Sequence, residues 1–274
     1  MKKKVLIIGK NSFIGNSLVF FLNKKFSVKK KNFDDFMNLS QVTLNKFDYI
    51  INCAINHKYV NKRYLKTNDF DNHIVQKIKD LNCKFIFIST RKIYKSGRNL
   101  KENSRTQPKC NYSKNKLITE KKIVKLSNDK ILILRISNLI GHQQKTRSNR
   151  KIHFTFIDHF FESVKKGLIF DNKKTYKDFI STKTFSEIVE KLIKNNSIGI
   201  FNVSIGQKVY LNELVKWLNY YNKRRCVVVK TPNYYNKDCF FLNNNRLKER
   251  IKIKITLSDL EKYCKNLSKN YFLK

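Results

Sequence analysis

The chain has 274 residues, 41% of them hydrophobic, and its 59 Lys+Arg against 20 Asp+Glu give a formal charge of +39. This length and apolar content suit one large α/β domain, or a domain with a smaller lobe, and exclude a disordered chain; no apolar stretch approaches the roughly 18 residues of a membrane span. Lysine is spread over nearly every segment, with no arginine-rich tract, aromatic RNA-binding strand or basic heptad run, so the charge predicts no specific nucleic-acid site and no membrane partner.

The start, Met1 followed by Lys2, Lys3 and Lys4, superficially copies a signal peptide, but Gly9, Lys10, Asn11 and Ser12 break the apolar run and no cleavage site follows. Cys53, Cys83, Cys110, Cys226, Cys239 and Cys264 contain no Cys-x-x-Cys pair, so the expectation is cytoplasmic thiols with no metal site and no disulfide framework.

Lys4 to Ile8 reads as a first buried strand, and Asn16 to Lys24 carries apolar residues at helical spacing. Between them lies Gly9-Lys10-Asn11-Ser12-Phe13-Ile14-Gly15. Gly9 permits a tight turn, Gly15 lets the helix approach the sheet, and the free amides around Ser12, Phe13 and Ile14 offer partial positive charge to a pyrophosphate. Ser12 stands where this dinucleotide fingerprint usually has glycine, and it fits only with a negative φ. Ordinary strand-to-helix turns also contain glycine, so the turn is a candidate cofactor site on its context. The next strand is weakly marked, because Phe26-Ser27-Val28 runs into Lys29, Lys30 and Lys31. Lys31 near its end would favour the 2′-phosphate of NADP, whereas Asp34 and Asp35 lie near the distance of an acid that selects NAD; NADP is favoured and both remain open.

Further strands are expected over Asp48 to Ala54, Lys84 to Ser89 and Ile131 to Arg135, with helices over Asp69 to Leu81 and Ser113 to Leu126. This alternation predicts an α/β fold with a doubly wound parallel sheet. The strand ending in Ser89-Thr90 delivers a hydroxyl to the carboxyl edge of the sheet, where ligands bind in such folds. Tyr112 and Lys116 follow at a spacing that places them on one helix face. A unit charge about 4 Å away at an effective dielectric near 20 is worth up to ~4 kcal/mol, or close to ~3 pKa units, so Lys116 is expected to bring the Tyr112 phenol towards neutrality. Tyr112 could then exchange a proton with a substrate oxygen, which Thr90 would also hydrogen-bond. A Tyr-x-x-x-Lys pair is common by chance in a lysine-rich chain, and its weight comes from its order after the glycine turn and Thr90.

From Gly141 the pattern is less regular: a polar loop from Gln143 to Lys151, helices over Phe154 to Lys166 and Thr184 to Lys194, a strand over Ile200 to Val203 and a helix over Leu211 to Tyr221. With no linker and only two prolines, this part is expected to pack on the first as a lid.

Taken in order, the glycine turn, Ile50-Ile51-Asn52-Cys53-Ala54, Asn68, Ser89-Thr90 with Tyr94, Tyr112 with Lys116, Leu134 to Gly141, Lys177-Asp178-Phe179-Ile180, Phe201-Asn202-Val203 with Leu211 to Leu214, and Asn245-Arg246-Leu247 resemble the extended short-chain dehydrogenases/reductases. Within them they resemble the NAD-dependent epimerase/dehydratase group and the dTDP-4-dehydrorhamnose reductases, over nearly the whole chain. The resemblance implies a Rossmann core over residues 1–141 that holds NAD(P), with later segments returning to it, and a small C-terminal α/β substrate-binding region mainly over residues 142–274.

It further implies a nucleotide-sugar reductase or epimerase of polysaccharide biosynthesis. Hydride transfer would be assisted by Thr90, Tyr112 and Lys116, with Ala54 and Asn68 lining the cofactor, Lys92 and Asn138 facing a nucleoside-diphosphate sugar, and a homodimer admitted. Asn138 also reads as a satisfied polar residue in a turn. Arg91 and Lys92 replace the acidic pair that dehydratases carry after the threonine, which argues against water loss. His142 replaces the usual proline after Gly141, and Lys177 the usual arginine before Asp178. The competing reading is a non-catalytic member of the fold that binds cofactor or RNA; the joint presence of Thr90, Tyr112 and Lys116 argues against it.

Overall fold

The computed structural model describes residues 2–141, 155–230 and 238–273. The first half builds β1 (Lys4–Ile8), α1 (Phe13–Leu22), β2 (Ser27–Lys31), the short helices α2 (Phe33–Met37) and α3 (Gln41–Leu44), β3 (Tyr49–Asn52), α4 (His57–Asn61), α5 (Phe70–Ile78), β4 (Lys84–Thr90), α6 (Asn111–Leu126) and β5 (Ile131–Ile136). The second half adds β6 (Asn138–Ile140), α7 (Phe156–Lys165), β7 (Leu168–Asp171), β8 (Tyr176–Lys177), β9 (Phe179–Ser181), α8 (Thr182–Lys194), β10 (Gly199–Val203), β11 (Val209–Tyr210), α9 (Leu211–Leu218), β12 (Val227–Lys230), α10 (Asn245–Ile251) and α11 (Leu257–Phe272). His142, the polar loop expected over 143–151 and the start of the helix expected from Phe154 lie outside the described residues.

Apolar side chains on both faces of each strand demand cover on both sides, which is the condition for a parallel sheet. Val5, Ile7, Ile51, Ile86, Leu132 and Leu134 enter one core, while Leu6, Ile8, Ile50, Phe85, Phe87 and Ile133 enter the other. The six strands lie in the order β10-β5-β4-β3-β1-β2, and every neighbouring pair is parallel. This is the expected doubly wound sheet of Rossmann type. Its order reverses at β1, which has β2 on one side and β3 on the other, and a crevice opens beyond the carboxyl ends of β1 and β3.

The weakly marked strand is real: β2 runs through Lys29, Lys30 and Lys31. It is the outer strand, and lysines on an edge strand remain solvated while discouraging a further chain from pairing there.

The second half does not stand apart. β10 pairs with β5 at the far edge of the sheet, and α8 packs on α1. Around them β6 pairs with β9 and β7 with β12 in parallel, β8 pairs with β11 antiparallel, and α9 packs on α11. Leu134 of β5 and Ile188 of α8 share one continuous core with Phe160, Leu214 and Leu260 of this region.

Candidate active site

The β1–α1 turn forms the base of the crevice. Gly9 has φ +111°, and a Cβ there would sit 2.9 Å from the Ala54 amide nitrogen and from the Cys53 carbonyl carbon. A Cβ on Gly15 would meet the Gly9 carbonyl oxygen at 2.9 Å. Both glycines therefore serve the backbone packing expected of them. Ser12 has φ −74° and caps α1, its Oγ accepting from the Gly15 amide at 3.3 Å. The hydroxyl thus takes one amide that a glycine at this place would leave free. Phe13, the first residue of α1, lies over Gly141, where a Cβ would come within 2.9 Å of its ring. At the edge of the turn the Lys31 carbonyl accepts from the Gly9 amide at 2.8 Å. Asp34 and Asp35 lie in the first turn of α2, past the strand end where an acid selecting NAD would stand.

The steric reading gives an expected outcome. Gly9→Ala should cost about 1–3 kcal/mol from strained backbone, with further loss from the clash. Gly167, with φ +72° and open space for 4 Å around the place a Cβ would take, supplies the control. Urea unfolding of Gly9→Ala and Gly167→Ala should show the first markedly less stable, and equal losses would mean that the close approach to β3 is unimportant.

Pro108 disfavours helix in the residue before it, and α6 begins just beyond, capped by Cys110 with Ser113 bonding back to the Cys110 amide at 3.2 Å. On this helix Tyr112, Lys116 and Glu120 recur at a four-residue spacing and share the face turned to the sheet. Lys116 and Glu120 are buried and Tyr112 is half-buried. The Thr90 hydroxyl lies close enough to the phenol to lower its pKa. The structure therefore brings Thr90, Tyr112 and Lys116 together beyond the carboxyl end of β4.

Lys116 does not act on the phenol alone. Its Nζ lies 3.1 Å from Oδ2 of the buried Asp71 on α5 and 4.3 Å from the centre of the Phe87 ring. Burial presses Lys116 to lose its proton, but Asp71, together with Tyr112 and Asp69, outweighs it and holds the pKa above the ordinary lysine value. Asp71 is itself pushed up to about 6, by burial first and by Asp69 against the pull of Lys116. The Tyr112 phenol is raised above its ordinary value: burial dominates, Lys116 pulls it down and Asp71 pushes it back. This corrects the expectation that Lys116 brings the phenol towards neutrality. The spacing fixes the cation near the phenol, but not the carboxylate that offsets it. Nothing in the sequence pattern marks Asp71 except that a charged residue occupies the inner face of a helix.

After Thr90 the chain enters a short 3-10 turn in which the Lys92 amide donates to Thr90 Oγ1 at 3.2 Å. Lys92 is exposed and Arg91 is buried, so it is Arg91 that turns inward. Arg91 stacks on Phe240 at 3.7 Å and makes a two-pronged bond to Asp238, at 2.9 and 2.7 Å. Lys177 Nζ reaches the same carboxylate at 3.3 Å. Burial opposes the charge on Asp238, but Arg91 and then Lys177 overrule it and hold its carboxyl far below the usual range.

Asp238 and Lys177 border a cavity of about 520 Å³ walled by Phe156, Phe160, Leu168, Phe170, Leu211 and Val215. The chain of contacts from cavity to Asp238 to Arg91 links this region to the Thr90 turn. Asn138 donates its side-chain amide to the Asp178 carbonyl at 3.2 Å, so its amide is satisfied, but as the first residue of β6 rather than in a turn. Asn68 is buried in a 3-10 turn ahead of α5, and the Ala54 amide donates to Asn52 Oδ1 at 2.9 Å. No group of three or more metal-ligating side chains occurs among the described residues, and no described helix is long and apolar enough to cross a membrane.

A family model described as the NAD dependent epimerase/dehydratase family matches residues 5–204. Among solved structures, a UDP-N-acetylglucosamine 4-epimerase from Methanobrevibacter ruminantium M1, in complex with UDP-N-acetylmuramic acid, superposes with TM-score 0.81 at 20% identity over 99% of each chain. A dTDP-4-dehydrorhamnose reductase from Bacillus anthracis in complex with NADP gives TM-score 0.77 at 19% identity over 97% of this chain and 99% of its own. A UDP-glucuronic acid 4-epimerase from Bacillus cereus in complex with NAD gives 0.74 at 15% identity over 97% and 99%. At these identities the likeness is one of fold. No curated protein matches the sequence.

Proposed function

The chain belongs to the NAD dependent epimerase/dehydratase family, and we propose that it is an NAD(P)-dependent enzyme that transfers hydride at a carbon of a nucleoside-diphosphate sugar. The observation that carries the reading is the cluster of Thr90, Tyr112 and Lys116 beside a glycine turn at the reversal point of the sheet.

The residues present fit a dinucleotide. Gly9 and Gly15 lie where a Cβ would fill the cradle, and α1 directs its first amides there. Phe13, Ile14 and the ends of β1 and β3 at Gly9 and Ala54 would flank it, with Asn68 nearby. Bound there, the nicotinamide supplies or accepts the hydride. Lys116 would reach the ribose hydroxyls, and Tyr112 would give its proton to the carbonyl oxygen of the sugar as the carbon is reduced, with Thr90 bonding the same oxygen. A phenol held above its ordinary pKa keeps its proton at neutral pH, which suits proton donation in reduction better than proton removal from a sugar hydroxyl. Arg91 and Lys92 leave no acid-base pair for dehydration beside Thr90. These points favour a reductase over an epimerase.

Residues 142–274, apart from α8 and β10, which join the core, would bind the substrate. The aromatic cavity suits a nucleotide base, and Lys177 at its border suits a phosphate. Asn138 and Lys92 are the remaining candidates for contact with the sugar.

The test is oxidation of NADPH and NADH at low salt with a panel of nucleotide-linked 4-keto-6-deoxy sugars. Net consumption is expected with at least one of them; bound cofactor without consumption, combined with inversion of a sugar centre, would assign an epimerase instead. The same assay tests the cofactor preference. Lys31 stands at the end of β2 beside Gly9, and a charge-assisted bond to a 2′-phosphate is worth about 1.5–3 kcal/mol. Lys31→Ala should therefore lower kcat/KM for NADPH about tenfold or more while leaving NADH nearly unchanged. A loss shared equally by the two cofactors would remove Lys31 from the 2′ site.

A further inference from the structure

The base of the site holds more negative charge than its chemistry requires. Asp69 and Asp71 are both buried at the start of α5. Asp69 is fully used as structure: Oδ1 caps the Asn72 amide at 3.0 Å, and Oδ2 accepts from Thr119 at 2.7 Å and from Tyr64 at 2.9 Å. Asp71 is placed differently. Its Oδ1 accepts from Asn52 Nδ2 at 2.7 Å, its Oδ2 faces Lys116 at 3.1 Å, and Asn52 is itself tied to Ala54 through that amide at 2.9 Å and that carbonyl at 3.1 Å. One line of contacts thus runs from the carboxyl end of β3 through Asn52 and Asp71 to Lys116, whose charge acts on Tyr112 one turn away on the same face of α6.

We propose that Asp71 is a positioning residue for the reaction: anchored by Asn52, its carboxylate pins Lys116 and cancels its charge, so that the Tyr112 phenol keeps its proton until a substrate oxygen takes it. The inference rests on the reading of Tyr112 as proton donor. Opposite charges in a low-dielectric site attract strongly enough to decide which protonation states exist. Removing the carboxylate leaves Lys116 as an uncompensated cation next to the phenol, which favours the phenolate. The groups that face this cluster are Lys116 and Tyr112 on α6, Cys110 at its cap, Asp69 ahead of α5, Tyr59 on α4 and Cys53 after β3. Burial pushes the Tyr59 phenol and the Cys53 thiol up, so both remain neutral through the working range. Cys110 is the remaining group close to the phenol, and its thiol lies below the ordinary value because bonds from Ser113 and the charge of Lys92 together outweigh its burial.

The test follows the Tyr112 phenol directly, by NMR of protein labelled at tyrosine Cζ, with the resonance assigned from its absence in Tyr112→Phe. In Asp71→Asn the titration midpoint should fall by about one to two pH units, and the alkaline limb of kcat/KM for reduction should move to lower pH with it. Asp71→Glu keeps the charge and should stay near the parent. Asp71→Ser, a smaller neutral variant, should repeat the fall and serves if the asparagine variant does not fold. Cys110→Ser, made in both backgrounds, should leave the difference between them unchanged. A midpoint that stays or rises in a folded neutral variant overturns the proposal, as does a fall shared by Asp71→Glu. The midpoint requires no turnover. A sugar panel that fails while the shift is present overturns the reductase reading, whereas turnover without the shift overturns the role of Asp71.

Discussion

Tyr112→Phe should lower kcat for sugar reduction by about a hundredfold to ten-thousandfold, the range that a positioned proton donor contributes, while cofactor affinity changes little. The substitution removes a single oxygen and keeps the ring, so the packing of a half-buried side chain in the first turn of α6 is preserved. Lys116 retains Asp71 as its partner, and the glycine turn is untouched. The phenol beside Thr90 is neutral at pH 7 and able to give a proton, whereas the Lys116 ammonium is bound to a carboxylate and held above its ordinary pKa. Steady-state rates and the quenching of protein fluorescence by NADPH separate the two effects. Turnover within tenfold of the parent would place the donor elsewhere, and lost cofactor binding would show that the hydroxyl holds the dinucleotide.

The central sheet was legible because its physics is local. A strand buried on both faces must be apolar where it is buried, and Val5 to Ile8 read that way without knowledge of their neighbours. The glycine turn was legible for the same reason: backbone that must pass within contact distance of Cys53 and Ala54 excludes any side chain. Legibility failed where a partner arrives from far along the chain. β8 and β11 are two-residue strands, too short to carry a period, and β7 finds β12 only after α8, β10 and α9 intervene. Asp238 reaches Arg91 from a position 147 residues away, and no spacing rule links them.

The inward turn of Arg91 rather than Lys92 depends on a single 3-10 turn after Thr90, and neighbouring residues of the same charge cannot be told apart by composition. Asp71 was hidden in another way. Its helix has an ordinary amphipathic pattern, and an acid on its inner face reads as an interruption until Lys116 is seen opposite.

Breaking the other buried ion pair on α6 should have the largest effect on stability. Glu120 lies two turns beyond Tyr112 on the same face and receives Arg135 of β5 at 2.7 Å, with further contacts at 3.2 Å from the same guanidinium. Ser89 donates to the same carboxylate. Arg135 continues to the Tyr94 hydroxyl at 2.8 Å and the Glu102 carbonyl at 2.6 Å, and Tyr94 donates to Asn202 of β10 at 2.8 Å. The network ties α6 to β4, β5 and β10, so it fixes the height at which Tyr112 and Lys116 stand above the sheet.

Removing one partner of such a pair strands a charge that water cannot reach, at a cost of about 3–5 kcal/mol, whereas replacing both by apolar groups of similar volume is often close to neutral. Glu120→Ala should therefore destabilise the fold by several kcal/mol, and Glu120→Leu combined with Arg135→Met should recover much of that loss. Urea unfolding of both single variants and the double variant, read as a double-mutant cycle, measures the difference. Additive losses would mean that the two side chains stabilise the fold independently. Recovery of stability together with loss of turnover would separate the two roles of the pair, because an apolar contact can hold α6 on the sheet without fixing the orientation that the hydrogen-bonded network imposes on Tyr112.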